Sequence, residues 1–176
     1  MNKRKIMLLA APLALLALAC SSGGTGSGAA PAGTVAGGTG KAAAAGAVGQ
    51  PVRDGKFEFT VQKIQCGATK VGDSVLNKTA QGQFCMVTLK VANIGKEAQT
   101  FDDSSQKAYG ADGAQFSADS TAGLYANSND ETFLNQINPG NTVTGTVIFD
   151  IPKTAKLAKL ELHDSPFSGG VTVAVK

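Results

Sequence analysis

From Val52 to Lys176 apolar residues recur at every second position, and this alternation limits the fold more than any other feature of the chain. Successive side chains of a β-strand point to opposite faces, so a period of two describes strands with one face in a core. The pattern is clearest in residues 83–93, where Cys85, Val87, Leu89 and Val91 share one face and Thr88 and Lys90 the other. No segment shows the i, i+3, i+4 apolar repeat of a long amphipathic helix. About 125 residues suffice to bury roughly two thirds of the unfolded surface, so residues 52–176 are expected to form one domain around one core.

Further strands and turns follow from the same reading. In residues 56–66, Phe57, Phe59 and Val61 alternate, and Ile64 and Cys66 continue one position out of phase, which a bulge near Lys63 reconciles. Asn93-Ile94-Gly95-Lys96 reads as a turn before a short strand near Thr100 and Phe101. Residues 106–109 and 114–117 flank Gly110-Ala111-Asp112-Gly113, a hairpin signal. A strand is expected over 132–137, ending at Asn138-Pro139-Gly140-Asn141, whose central Pro-Gly is the composition of a type II turn. Residues 142–151 form a clear strand with Val143, Val147 and Phe149 on one face, and Gly145 marks a close approach or a twist. Residues 158–163 and 170–175 complete seven or eight short strands. That spacing favours an all-β antiparallel sandwich, with a small barrel as the alternative.

The first fifty residues differ in kind. Lys3, Arg4 and Lys5 precede an uncharged Leu/Ala-rich run of fourteen residues, 6–19, which is the layout of a secretory signal. The run holds Pro12 and is shorter than the roughly twenty residues a spanning helix needs. It ends in Leu16-Ala17-Leu18-Ala19-Cys20, which resembles the lipobox of bacterial lipoproteins, with Ala17 where leucine is usual. The resemblance implies that residues 1–19 are a signal peptide, and that Cys20 carries a diacylglyceryl thioether, often with a third acyl chain on the new N-terminus. Stable anchoring takes more than one acyl chain. The partner implied is a membrane, reached through lipid on Cys20 at its extracytoplasmic face. Residues 20–51 are almost entirely Gly, Ala, Ser and Thr, too poor in apolar bulk to offset their ordering entropy, and are expected to form a disordered tether. Its r.m.s. reach is roughly 30 Å.

Processing also changes the charge and the cysteine count. The net charge of +3 comes from sixteen basic and thirteen acidic residues, and loss of Lys3, Arg4 and Lys5 leaves thirteen of each. A neutral mature chain gives no electrostatic argument for nucleic acid, which is excluded as a partner. Of three cysteines, assigning Cys20 to lipid leaves Cys66 and Cys85. Export favours a disulfide between them, closing about nineteen residues and stabilising the fold by on the order of 3 kcal/mol. A redox or metal pair is the alternative, although the spacing is far from Cys-x-x-Cys.

No catalytic residue, cofactor or metal is assigned, and the chain is not expected to be an enzyme. His163-Asp164-Ser165 holds the letters of a hydrolase triad, but adjacent residues do not reach the mutual geometry a triad needs. His163 is the one histidine and is expected to be an exposed strand or loop residue. Asp102, Asp103, Asp112, Asp119, Asp130 and Glu131 face a single base, Lys107, across residues 102–131, a local net charge of −5. Asn127, Asn129 and Glu131 alternate as calcium ligands do, without the following glycine. Solvated turns account for the same residues. A third expectation is that these loops gather at one end of the sandwich as an interaction face. Without Trp, sugar stacking falls to Tyr109 and Tyr125.

Several stretches resemble a family of unknown function: Phe57-Glu58-Phe59-Thr60-Val61, Val87-Thr88-Leu89-Lys90-Val91-Ala92-Asn93-Ile94-Gly95, Pro139-Gly140, Gly145-Thr146-Val147-Ile148-Phe149-Asp150-Ile151-Pro152 and Leu160-Glu161-Leu162. The family consists of immunoglobulin-like domains of exported bacterial lipoproteins, similar in fold to a secreted mycobacterial immunogenic protein. The resemblance implies an immunoglobulin-like sandwich outside the cytoplasm and carries no catalytic residue. The chain is then a tethered envelope module that binds a protein or peptide partner, or a spacer or antigen without a ligand. A carboxylate-dependent envelope enzyme is the remaining alternative.

Overall fold

The computed structural model describes residues 45–128, 133 and 135–176. The signal segment, Cys20, most of the tether, Asn129, Asp130, Glu131 and Thr132 lie outside them. Among the described residues no helix is long and apolar enough to cross a membrane.

The described residues form eleven strands: β1 (Gly46–Ala47), β2 (Pro51–Asp54), β3 (Phe57–Gly72), β4 (Asn77–Asn93), β5 (Gln99–Thr100), β6 (Lys107–Gly110), β7 (Gln115–Ser117), β8 (Gln136–Ile137), β9 (Thr142–Ile151), β10 (Leu157–Leu162) and β11 (Val171–Ala174). One sheet runs β1-β11-β10-β6-β7, the other β2-β3-β4-β9, and β5 and β8 pair separately. The count exceeds seven or eight because short pairings such as β1, β5 and β8 carry too few residues to show a period. Residues 46, 47 and 51, expected in the tether, lie in strands. Gly46 and Ala47 pair with Val173 and Ala174 in parallel, whereas the other strand pairs among the described residues are antiparallel. Gly46 packs against Val52, leaving no room for a side chain.

The alternation places the core between the sheets. Phe57, Phe59, Val61, Cys85, Val87, Leu89 and Val91 face Leu160, Leu162 and Val173 in one buried cluster. Each such side chain contributes about 1.5–3 kcal/mol by leaving water. The β3–β4 register slips between Val61 and Lys63, so a bulge re-phases the strand where the sequence required one. Asn141 N–H donates to the Asn138 carbonyl at 3.0 Å, and Gly140 takes φ +80°, the geometry that a type II turn reserves for glycine. Asn93 is buried at the end of β4. Its amide donates to the carbonyls of Glu97 and Ile137 and accepts from Gly95 N–H.

The β2–β3–β4–β9 sheet is apolar on its outer face as well. Phe84, Ile148 and Val71 are buried there with Ala122, which belongs to a helix, α1 (Ser120–Ala126). Two consecutive apolar residues, Phe84-Cys85, and three, Val147-Ile148-Phe149, mark strands buried on both sides. β9 is an edge strand, and the chain around α1 closes that edge. Asp119 N–H donates to the Ile148 carbonyl at 2.7 Å, while the Asn127 side chain accepts from Thr146 N–H and donates to the Thr146 carbonyl, both at 2.8 Å. Unpaired strand edges recruit other chains, and this edge is covered.

Candidate functional site

α1 is held at its start by Asp119, whose side chain caps Ala122 N–H at 3.0 Å and binds the Lys78 ammonium at 2.6 Å. Burial raises the Asp119 pKa, but the Lys78 hydrogen bond and the capped amide outweigh it and hold the carboxyl below its ordinary value. Beside α1, Asp102 caps a 3-10 turn at Asp103–Ser105. One Asp102 oxygen accepts from Ser104 N–H and Oγ and the other from Ser105 Oγ. Burial opposes its charge, yet these bonds and the Lys107 charge leave its pKa lowered.

Between these two elements lies a groove of about 710 Å³. Phe101 and Phe133 line it, with ring centroids 4.5 Å apart, and Leu76, Leu124 and Tyr125 border it. Phe133 also explains Gly145, since a Cβ there would lie 2.6 Å from its ring. Asp102 and Asp103 are the charged groups among its described lining residues. Asp103 accepts from Ser120 Oγ at 2.8 Å. Burial nonetheless pushes its carboxyl above the ordinary value, exceeding the help of Ser120, and the neighbouring Asp102 charge adds to the rise.

The other expected sites resolve differently. Cys66 and Cys85 form a disulfide between directly paired residues of β3 and β4, with Cα atoms 4.0 Å apart. They are not both interior. Cys85 is buried, whereas Cys66 is exposed beside a smaller cleft near Leu157 and Val175. His163 is half-buried rather than exposed, bonded to Glu161 Oε1 at 3.0 Å and Ser168 Oγ at 3.2 Å and packed over Gly170. Asp164 instead accepts from Lys56 N–H, so no triad forms. Of the acidic residues, Asp102 and Asp103 line the groove beside α1, Asp119 caps α1, and Asp112 supports the separate β6–β7 turn by accepting from Ala114 N–H, while Asp130 and Glu131 lie outside the described residues. Asn127 is committed to Gly123 and Thr146, while Asn129 and Glu131 lie outside the described residues. Among the described residues no three metal-ligating side chains converge. Tyr125 borders the groove. Tyr109 sits under the Lys159 ammonium, 4.1 Å from its ring centroid.

Two sheets packed over a single core define an all-β sandwich. The chain belongs to the family described as Domain of unknown function (DUF4352), which matches residues 46–173. The fold is shared with the secreted protein MPT63 from Mycobacterium tuberculosis (15% identity, TM-score 0.55, covering 74% of this chain and 96% of that one). It is shared as well with the YjhA protein of Bacillus subtilis (13%, 0.55, 74% and 99%) and a conserved hypothetical protein from Bacillus anthracis (17%, 0.51, 71% and 94%). Among curated proteins no sequence matches.

The groove was hidden from sequence reading because its walls come from residues 76, 100–103, 120, 121, 123–125, 127, 128 and 133. The one local signal for α1 is Asp119 ahead of Ser120-Thr121-Ala122, a helix N-cap pattern.

Proposed function

We propose that this protein is an extracytoplasmic lipoprotein, anchored through Cys20, that presents its immunoglobulin-like sandwich as a binding module whose recognition site is the groove beside α1. The observation that carries the reading is an apolar concavity with a few polar groups at its rim, the usual form of a binding site. Binding rather than catalysis is supported by the hydrogen bonds around it. Both Asp102 oxygens are engaged within the turn, so among the described lining residues one carboxylate, Asp103, is left facing the groove without an acid–base partner. The signal-like residues 1–19 and the description of MPT63 as secreted support the address.

Two measurements test the two halves. After a high-salt wash of membranes, the full chain stays in the pellet and a Cys20→Ala variant is released; a variant that stays bound defeats the anchor. Photo-crosslinking in intact envelopes from a probe at Thr121 traps a partner that Leu124→Ser abolishes. Leu124 is 47% exposed, so this change spares the core. Absence of a crosslink, or one indifferent to Leu124, leaves the domain a spacer.

A further inference from the structure

Resting on the reading of the domain as a binding module, we propose that the groove takes a peptide segment in which a lysine or arginine side chain stands beside a large apolar one. The apolar half of the argument is exposure. Leu76, on the β3–β4 connection, and Leu124, on α1, are 52% and 47% exposed at the mouth of the same groove, whose floor is the buried Phe101–Phe133 pair. Exposed apolar side chains gathered around a concavity mark a surface that is covered when in use.

The cationic half is charge complementarity. The described lining contains Asp102 and Asp103 and no lysine, arginine or histidine. Asp119, the N-cap of α1, is neutralised by Lys78. Asp103 has no ion pair among the described residues, and Asp102 already spends its oxygens on Ser104 and Ser105. A purely apolar ligand would strip water from the Asp103 carboxylate without replacing it, a cost of burying an unpaired charge. An acidic ligand would be repelled. A guanidinium or ammonium over Asp103 removes both penalties and permits a charge-assisted hydrogen bond. Thr121 and Ser128 set hydroxyls on the rim, within the same lining, as partners for peptide amides. A glycan is disfavoured because the described lining offers Tyr125 as its one ring that reaches the surface, Phe101 and Phe133 being buried.

The test uses the full chain in detergent and an immobilised set of nonapeptides. Each has a central Phe or Leu flanked by Lys or Arg, by Asp or Glu, or by Ser. Basic members bind at least about tenfold tighter than the acidic and neutral ones, and more weakly as salt is raised. Asp103→Asn and Leu124→Ser each lower that binding about tenfold with melting curves intact, while Asp112→Asn in the β6–β7 turn leaves it unchanged. Equal binding of acidic or neutral peptides, indifference to Asp103→Asn, or no binding by any peptide overturns the proposal. If the peptides fail while the Leu124-dependent crosslink persists, the ligand class is wrong and the binding module stands; loss of both removes both.

Discussion

Replacing Asn127 with alanine tests whether α1 is stapled to the sheet through β9. The Asn127 side chain donates to the carbonyls of Gly123 (2.7 Å) and Thr146 (2.8 Å) and accepts from Thr146 N–H (2.8 Å). The Gly123 carbonyl keeps the Asn127 backbone N–H at 3.0 Å, so the groups that lose their partner are the N–H and C=O of Thr146. At about 1 kcal/mol net for each hydrogen bond, the loss is about 2 kcal/mol. With a urea slope of about 2 kcal/mol per molar, the midpoint by far-UV circular dichroism falls by about 1 M. Native-state exchange sharpens the test, because the Thr146 amide loses protection beyond the global change. Asn127→Asp keeps the acceptor for Thr146 N–H but sets a carboxylate against two carbonyls, so it costs at least as much. A midpoint shift for Asn127→Ala below about 0.2 M, with Thr146 protection unchanged, refutes the staple.

Gly145→Ala places a methyl 2.6 Å from the Phe133 ring and costs about 1–3 kcal/mol by overpacking; Phe133→Leu in the same chain recovers part of that loss in urea titrations. Asp119→Ala removes a helix cap and an ion pair, an expected loss of about 1–2 kcal/mol at neutral pH. Because the folded pKa of Asp119 is lowered, its charge-dependent stabilisation is present above the unfolded value near 4 and fades as pH falls through the folded one, so the gap between wild type and variant narrows in acid. Asp103 has the opposite sign: its raised folded pKa makes the ionised form a burden at neutral pH. Asp103→Asn therefore matches or exceeds wild-type stability there, and the difference disappears as pH falls through the folded and then the unfolded value, as pH-dependent melting will show. Converting Cys66 and Cys85 together to serine releases a nineteen-residue closure and lowers stability by about 3 kcal/mol, measured against the oxidised wild type in urea.

The elements legible in the sequence are those whose physics is local. The strand expected over 142–151 is β9, Thr142–Ile151, because alternation and a Pro-Gly turn act over neighbouring residues. The β6–β7 hairpin formed around Gly113, which takes φ +83° as its turn demands. α1 escaped notice because seven residues complete two turns and display no repeat. Its stability comes from Asp119, Asn127 and the burial of Ala122, and each of the three is tied to β4 or β9. Cys66 continues the apolar alternation of β3 past the bulge yet is exposed, because the strand alone does not say where the covering sheet ends.

By itself the sequence determined the strand-rich core and the turns at 110–113 and 138–141, since each follows from side-chain alternation or turn stereochemistry, and it favoured a Cys66–Cys85 disulfide over a redox or metal pair, the bond the structure holds. It also holds the signal-like start, whose expected removal would leave thirteen basic and thirteen acidic residues. Tertiary structure alone decided that Gly46 and Ala47 join a sheet, that β9 is sealed by α1, that His163 is half-buried, and that Asp103 meets Phe101, Phe133 and Leu124 in one groove. These are meetings of residues tens of positions apart. Pairwise packing and desolvation fix them, and neither leaves a periodic trace along the chain.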